Sequence, residues 1–298
     1  MINCPFREHR LYIEFIKKNS KGSPVTELND HYSQHLNYNQ LIQQVADSFP
    51  EGPTCFDLAP LDQLHIGGIK ASKQLLEHIK PYSHPRVLDV GAGLGGLLRL
   101  AASEQEIDGV ALDFTHAFSQ LNQALNLLSG SECISVVSGD AQLLPFASDY
   151  FDCVIFQHSL LNIPKPSEAL KEALRVLKPG GRIVCHEVIK GQNPEAIEFP
   201  VPWAARAELS FLHCTQDIRR QIESAGFEIS SCDDWTEQAL MWRARQTGKE
   251  QSGQARSGLS PAAVLGNQFA TMGKNVHQAL QNGAIGIIEL AAQKPQSR

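Results

Sequence analysis

Residues Val87 to Gly96 read VLDVGAGLGG: a short stretch of strand character, then a glycine-rich turn that leads into an apolar helix from Leu97. A chain that reverses this tightly needs glycine, because Gly91 and Gly93 can take positive φ without a Cβ clash. Bare backbone also lets a flat ligand come close. The segment therefore predicts the floor of a nucleotide-type site at the carboxyl end of a first strand.

The residues that follow alternate between strand and helix patterns. Arg86–Val90 is predicted as strand one, and Gly109–Asp113 as strand two, an apolar run ending in an acid. Thr115 is placed to cap a helix in which Phe118, Leu121, Leu125 and Leu128 share a face, with Gly130 at its end. Cys133–Val137, Asp152–Gln157 and Arg182–Ile189 read as strands three, four and five. Between the last two, Ser167 caps a helix with Leu170, Ala173, Leu174 and Leu177 at i, i+3, i+4, i+7, and Pro179-Gly180-Gly181 makes a turn. This rhythm implies a doubly wound, Rossmann-like α/β sheet, mostly parallel and covered on both faces.

Outside that core the signals are weaker. Thr26–Phe49 reads as helix with breaks, Pro50–Pro60 as a loop, and Ile69, Leu75, Leu76 and Ile79 as one face of a helix stopped by Pro81. After strand five come a proline-bearing loop from Gly191 to Trp203, a helix from Thr215 to Gly226, and strand six at Phe227–Trp235. Gln246–Gly258 is expected as a flexible polar connection, followed by helix to about Asn282 and a last strand at Ala284–Ala292. The expected organisation is a helical N-terminal cap over 1–60 and one catalytic domain over 61–298, with lid segments at about 190–214 and 236–283.

Composition narrows the function. The chain has 298 residues and a formal charge of −6, so no broad basic surface awaits a phosphate backbone and nucleic acid is not an expected partner. No apolar run approaches the ~18 residues of a membrane span. The opening residues lack the apolar core of a secretion signal. Seven scattered cysteines contain no C-x-x-C pair, which predicts neither a metal site nor a disulfide framework and favours a reduced cytoplasm.

Gly91, Gly93 and Gly96 satisfy the dinucleotide pattern G-x-G-x-x-G, which by itself is a weak signal. With it stand Asp89 inside strand one, Asp113 at the tip of strand two, Ser138-Gly139-Asp140-Ala141, and Leu177-Lys178-Pro179-Gly180-Gly181-Arg182. In this order these motifs resemble the class I S-adenosylmethionine (SAM) methyltransferases over about residues 60–235. The resemblance implies a seven-stranded sheet whose last strand is antiparallel. It also implies SAM as cofactor, S-adenosylhomocysteine as product, and a small-molecule acceptor. Gly91, Ala92, Gly93 and Asp89 would then serve the methionine part. Asp113 would take the ribose hydroxyls, and Phe114, Asp140 and Ala141 the adenine. Gln157 would approach the sulfonium.

The segment Asp62-Gln63-Leu64-His65-Ile66-Gly67-Gly68 is similar to the one preceding the first strand in phosphoethanolamine, sarcosine/dimethylglycine and tocopherol methyltransferases. Those enzymes often carry an acid after the strand-four glutamine and a histidine five residues on, where this chain has His158 and Asn162. An amine acceptor must arrive unprotonated, so His65, His158 and Glu187 are the candidate bases. Asn162, Trp203 and Trp242 are the candidate acceptor contacts, since aromatic walls suit methylated ammonium groups. Trp242-Arg243-Ala244-Arg245 could also neutralise a substrate carboxylate, or be a solvated helix face. His9, His31, His35, His84, His116, His213 and His277 take structural roles.

The expectation is methyl transfer to a small molecule, foremost at an amine nitrogen. The alternative is transfer to carbon or oxygen of a quinone-like or natural-product acceptor, which a larger and greasier pocket would favour. From other classes, an NAD-dependent oxidoreductase or a non-catalytic SAM-binding protein would share much of the pattern.

Overall fold

The computed structural model describes residues 36–251 and 259–296. The expectations for residues 1–35, including His9, His31, His35 and most of the N-terminal cap, lie outside the described residues, as does the 252–258 part of the polar connection.

Seven strands form one sheet in the order β3-β2-β1-β4-β5-β7-β6. They are β1 (Arg86–Val90), β2 (Asp108–Asp113), β3 (Ile134–Ser138), β4 (Phe151–Gln157), β5 (Leu177–Lys190), β6 (Glu228–Asp234) and β7 (Ile285–Gln293). The pairs from β3 through β5 are parallel, whereas β7 runs antiparallel to both β5 and β6. The tips of β1, β2, β3 and β4 therefore share one edge.

Both faces of the sheet are covered, which is why its central strands are almost continuously apolar. On one face Val87, Ala111, Cys153, Ile155 and Val184 meet Leu75, Leu97, Leu98 and Ala101 from the helices Gly68–Leu76 and Gly96–Glu104. On the other, Leu88, Leu112, Val154, Phe156 and Cys185 meet Leu170, Ala173, Ile218 and Ile222 from the helices Pro166–Val176 and Thr215–Ala225. Successive residues change sides because side chains alternate along a strand.

Four local expectations change. Pro50–Pro60 is not all loop: Cys55–Asp62 is a helix, started by a capping box in which the Thr54 side chain accepts from the Asp57 amide and Asp57 from the Thr54 amide. Pro60 sits inside this short helix. Ser167 is not the cap of its helix, because Pro166 already occupies the first turn after Lys165. Pro179-Gly180-Gly181 is an excursion within β5: Phe151 pairs with Leu177 and Cys153 with Arg182, so β5 spends extra residues there and Gly180 turns at φ +76°. The helix beginning at Thr236 continues to Gln251, through residues expected to be a flexible connection.

The helices Tyr38–Ser48 and Cys55–Asp62 pack Leu41, Val45, Leu58 and Leu61 against Phe118, Leu121 and Leu125 of the helix His116–Leu128. Trp203, Trp235, Ala239, Val276 and Leu280 form a second core over the β7 side. Among the described residues, no helix is long and apolar enough to cross a membrane.

Candidate functional site

The shared edge opens into a cleft of about 240 Å³. Its floor is the glycine turn. The Gly91 and Ala92 amides both donate to the Leu112 carbonyl, at 2.8 and 3.0 Å, which folds the end of β1 onto β2. Gly91 has φ +78°, and a Cβ there would stand 2.4 Å from the Cβ of Ser159. Gly93 has φ +52° and nothing within 4 Å of a Cβ, so its backbone is open to the cleft. Gly96 serves a different purpose, because a Cβ there would strike the Asp62 carboxyl at 2.6 Å.

Asp113 ties the turn to the tip of β2. Its Oδ2 accepts the Gly93 amide at 2.8 Å and its Oδ1 the Thr115 amide at 2.7 Å. Each carboxylate oxygen keeps a second acceptor site. Burial pushes Asp113 up to about 6, against the pull of those amides. Asp89, nearly buried in β1, is pushed up to about 7 by burial and then by the charge of Asp113. A bound cation would reverse both shifts by favouring the ionised forms. On the β3 side, Asp140 accepts the Gln142 amide at 2.8 Å in an Asx-type turn, with Ala141 beside it.

The segment before β1 folds over the tip of β4. His65 Nε2 lies 3.1 Å from the Gly68 carbonyl and 3.2 Å from Ser72 Oγ. Ser72 in turn donates to Gln63 at 2.7 Å and stands 3.4 Å from the Gln157 amide group. Burial lowers His65 to about 4, so its imidazole is neutral near neutral pH. Gly67 is required here, since φ is +99° and a Cβ would meet the Trp235 ring at 2.8 Å.

His158 follows Gln157 with φ +54°, an uncommon conformation for a residue with a side chain. Its amide donates to the His186 carbonyl at 2.8 Å, and its ring stacks on His186 at 5.2 Å and 8°. His65 meets both rings edge-on at 5.9 and 6.4 Å. Burial drives His158 and His186 well below the usual imidazole range, His186 to about 3. Three neutral imidazoles thus surround the β4 tip and add no positive charge there.

One cleft is therefore lined by His65, Asp89, Gly91, Ala92, Gly93, Asp113 and Phe114, together with Asp140, Ala141, Gln157, His158, Asn162 and Trp203. Two of the candidates stand apart. Glu187 is buried behind the cleft, where its Oε1 accepts the amides of Ser159 and Leu160, each at 3.0 Å. Trp242 packs over Gly68 outside the cleft lining. Arg243 is also removed from it: its guanidinium is buried so close to Gly273 that a Cβ there would come within 2.9 Å, while Arg245 is exposed.

Sequence reasoning passed over His186, Trp235 and the Asp62–Arg99 pair. His186 lies in an apolar strand with no local pattern to mark it. Arg99 did carry a signal, a lone cation within the apolar run Leu97-Leu98-Arg99-Leu100. It donates to Asp62 at 2.8 Å, to Asn126 at 2.6 Å, to Asn122 at 3.2 Å and to the Leu94 carbonyl.

A methyltransferase-domain family model matches residues 88–185. The ubiquinone/menaquinone biosynthesis C-methyltransferase UbiE of Pseudomonas paraeruginosa (strain DSM 24068 / PA7) is 32% identical over 182 residues, 58% of this chain and 68% of that protein. The sarcosine/dimethylglycine N-methyltransferase of Aphanothece halophytica is 29% identical over 184 residues, 61% of this chain and 66% of that one. Among solved structures, phosphoethanolamine N-methyltransferase 2 of Haemonchus contortus, with phosphomonomethylethanolamine and S-adenosylhomocysteine, superimposes with a TM-score of 0.69 at 20% identity, covering 91% of this chain and 61% of that one. The chain spans 43%, 66% and 68% of the length of three curated relatives that it matches.

Proposed function

We propose, for a chain that belongs to the class I SAM-dependent methyltransferases, that its cleft passes the methyl group to an uncharged, largely apolar small molecule at carbon or oxygen. The family's cofactor is SAM. The observation that carries the acceptor class is the apolar share of the cleft lining. Besides the acids the lining includes Leu64, Leu161, Ile163, Pro164, Pro202, Trp203, Val264 and Leu265, and among the described residues no lysine or arginine lines the cleft. An acceptor bearing a carboxylate or phosphate would call for such a cation. This is the greasier pocket that favours a quinone-like or natural-product acceptor over an amino acid.

The residues present fit the cofactor. The open face of Gly93 admits it, and the remaining acceptor sites of Asp113 suit two ribose hydroxyls. Phe114, Asp140 and Ala141 would hold the adenine, and Asp89 and Gln157 the methionine end, with Gly91 and Ala92 as floor. When bound, SAM would supply a methyl on a sulfonium, attacked in line by the acceptor while the sulfur leaves with the bonding pair as S-adenosylhomocysteine. The chain aligns the reactants and excludes water. His65 and His158 are neutral, so each can orient the acceptor's hydroxyl by a hydrogen bond, while the burial that keeps them neutral also weakens them as bases. Asn162 and Trp203 shape the acceptor side.

A second reading keeps an amine nitrogen as acceptor. Trp203 supplies an aromatic wall, the imidazoles add no charge of their own, and the Aphanothece relative bears the name of an N-methyltransferase. The test is incubation of the full chain with radiolabelled SAM and a panel of hydroquinones, phenols, terpenoid alcohols and amines. Labelling of the phenolic or apolar acceptors is expected. Labelling confined to amines transfers the case to the second reading.

A further inference from the structure

We propose that Glu187 is a positioning residue for methyl transfer: its carboxylate caps the turn after β4 from the neighbouring strand and so holds that turn against the glycine turn of the cleft. The inference rests on the reading that this cleft holds SAM.

Three consecutive amides at the end of β4 are pinned to β5. His158 donates to the His186 carbonyl, and Ser159 and Leu160 both donate to Glu187 Oε1. Leu160 opens the one-turn helix Leu160–Asn162 and Ser159 is its N-cap residue, whose side chain makes no capping bond. A helix start leaves its first amides unpaired, and one carboxyl oxygen can accept two of them; burial raises Glu187 to about 7, against the pull of the Leu160, Ser159 and Leu161 amides. Here the acceptor arrives across the sheet, from a residue 27 positions later than Leu160.

The capped turn forms two walls of the cleft. Ser159 lies so close to Gly91 that a Cβ on Gly91 would be 2.4 Å away, and Leu161 and Asn162 line the acceptor side. Glu187 is not part of the cleft lining and borders a water-sized void of about 10 Å³ behind the turn, with Leu160, Phe211, His213 and Gln221. Its influence on the reaction therefore runs through the backbone of residues 158–162. Loss of the carboxylate would free the Ser159 and Leu160 amides directly after His158, a residue whose left-handed conformation persists only under constraint from its surroundings.

The test uses the full-length chain and S-adenosylhomocysteine as the calorimetric probe, with amide hydrogen exchange as the second readout. E187A is expected to bind the probe roughly tenfold or more weakly, the scale of losing a charge-assisted hydrogen bond, and to exchange the Ser159 and Leu160 amides faster. E187Q retains an acceptor oxygen and is expected to stay within about threefold of the wild type. If E187A does not fold, E187D replaces it: one methylene shorter, it should fail to reach the turn and show the same loss. Wild-type affinity and exchange in a folded E187A or E187D would overturn the inference. A wild-type chain that binds no probe would instead overturn the reading of the cleft.

Discussion

Asp62 and Arg99 form an ion pair at 2.8 Å beneath the glycine turn, with side chains 0% and 1% exposed. The pair joins the helix Cys55–Asp62 to the helix Gly96–Glu104, and the same guanidinium holds the Leu94 carbonyl of the turn and Asn122 and Asn126 of the helix His116–Leu128. Burial raises the Asp62 pKa, and Arg99 pulls it back. Removing one member of a buried pair leaves the other charge uncompensated, at a cost of about 3–5 kcal/mol. D62A should therefore lower the denaturation midpoint sharply. The apolar double variant D62L/R99M should recover most of that loss. A D62A midpoint equal to the wild type would show that the pair is not holding the turn.

The two floor glycines should answer differently to the same change. G91A places a methyl into Ser159 on top of an unfavourable φ, whereas G93A meets only the φ strain, of about 1–2 kcal/mol. G91A should thus lose more stability. G93A should keep the fold but bind SAM poorly, because the new methyl stands in the open cleft. Thermal melts with and without SAM separate the two; equal melts for both variants would count against the assignment of Gly93 to the ligand.

Binding of SAM should depend on pH through the acids of the floor. Asp89 and Asp113 are raised to about 7 and about 6, so both are partly protonated in mildly acidic solution. A cationic ligand prefers them ionised and must displace those protons. Affinity is expected to climb from pH 5 to 7 and level off above, with proton release visible in calorimetry across buffers of different ionisation enthalpy. The sign for stability is opposite. Between about pH 4 and 7 Asp89 and Asp113 bind more protons in the folded than in the unfolded chain, so their own contribution to the stability of the ligand-free protein falls as pH rises through that window, while the buried neutral His65, His158 and His186 contribute with the opposite sign below about pH 6.5. A SAM affinity that is flat from pH 5 to 7 would contradict the pairing of these acids with the cofactor.

Trp203 lines the cleft and donates to Ser210 at 3.0 Å, while Trp242 packs on Gly68 away from it. W203A should broaden or change the range of acceptors labelled, with SAM affinity unchanged. W242A should lower stability and leave acceptor preference alone. The labelling panel checks both, and a W242A chain with altered preference would place that indole in the site after all.

The glycine turn and the acids beside it were legible because their signals are local. Gly91 and Gly93 require glycine for reasons of φ that act within a few residues, and Asp89 and Asp113 stand where apolar strands end. The helix Cys55–Asp62 was also written locally, in the capping box Thr54-x-x-Asp57, within a segment whose prolines suggest a loop. Helix Thr236–Gln251 was obscured by polar residues at its far end, whose sequence resembles a linker.

By itself the sequence determined the order of strands and helices, the parallel sheet and the acids at its tips, since propensity, side-chain periodicity and turn chemistry act between near neighbours. Only tertiary structure decided what the distant residues do. Glu187, a candidate base on paper, is turned behind the cleft because side chains alternate along β5 and the next residue from His186 must face the other way. Trp235 lies under Gly67 and Trp242 over Gly68, while Trp203 alone of the candidate indoles reaches the acceptor wall. Those outcomes depend on which elements meet across the sheet, and no spacing along the chain encodes such a meeting.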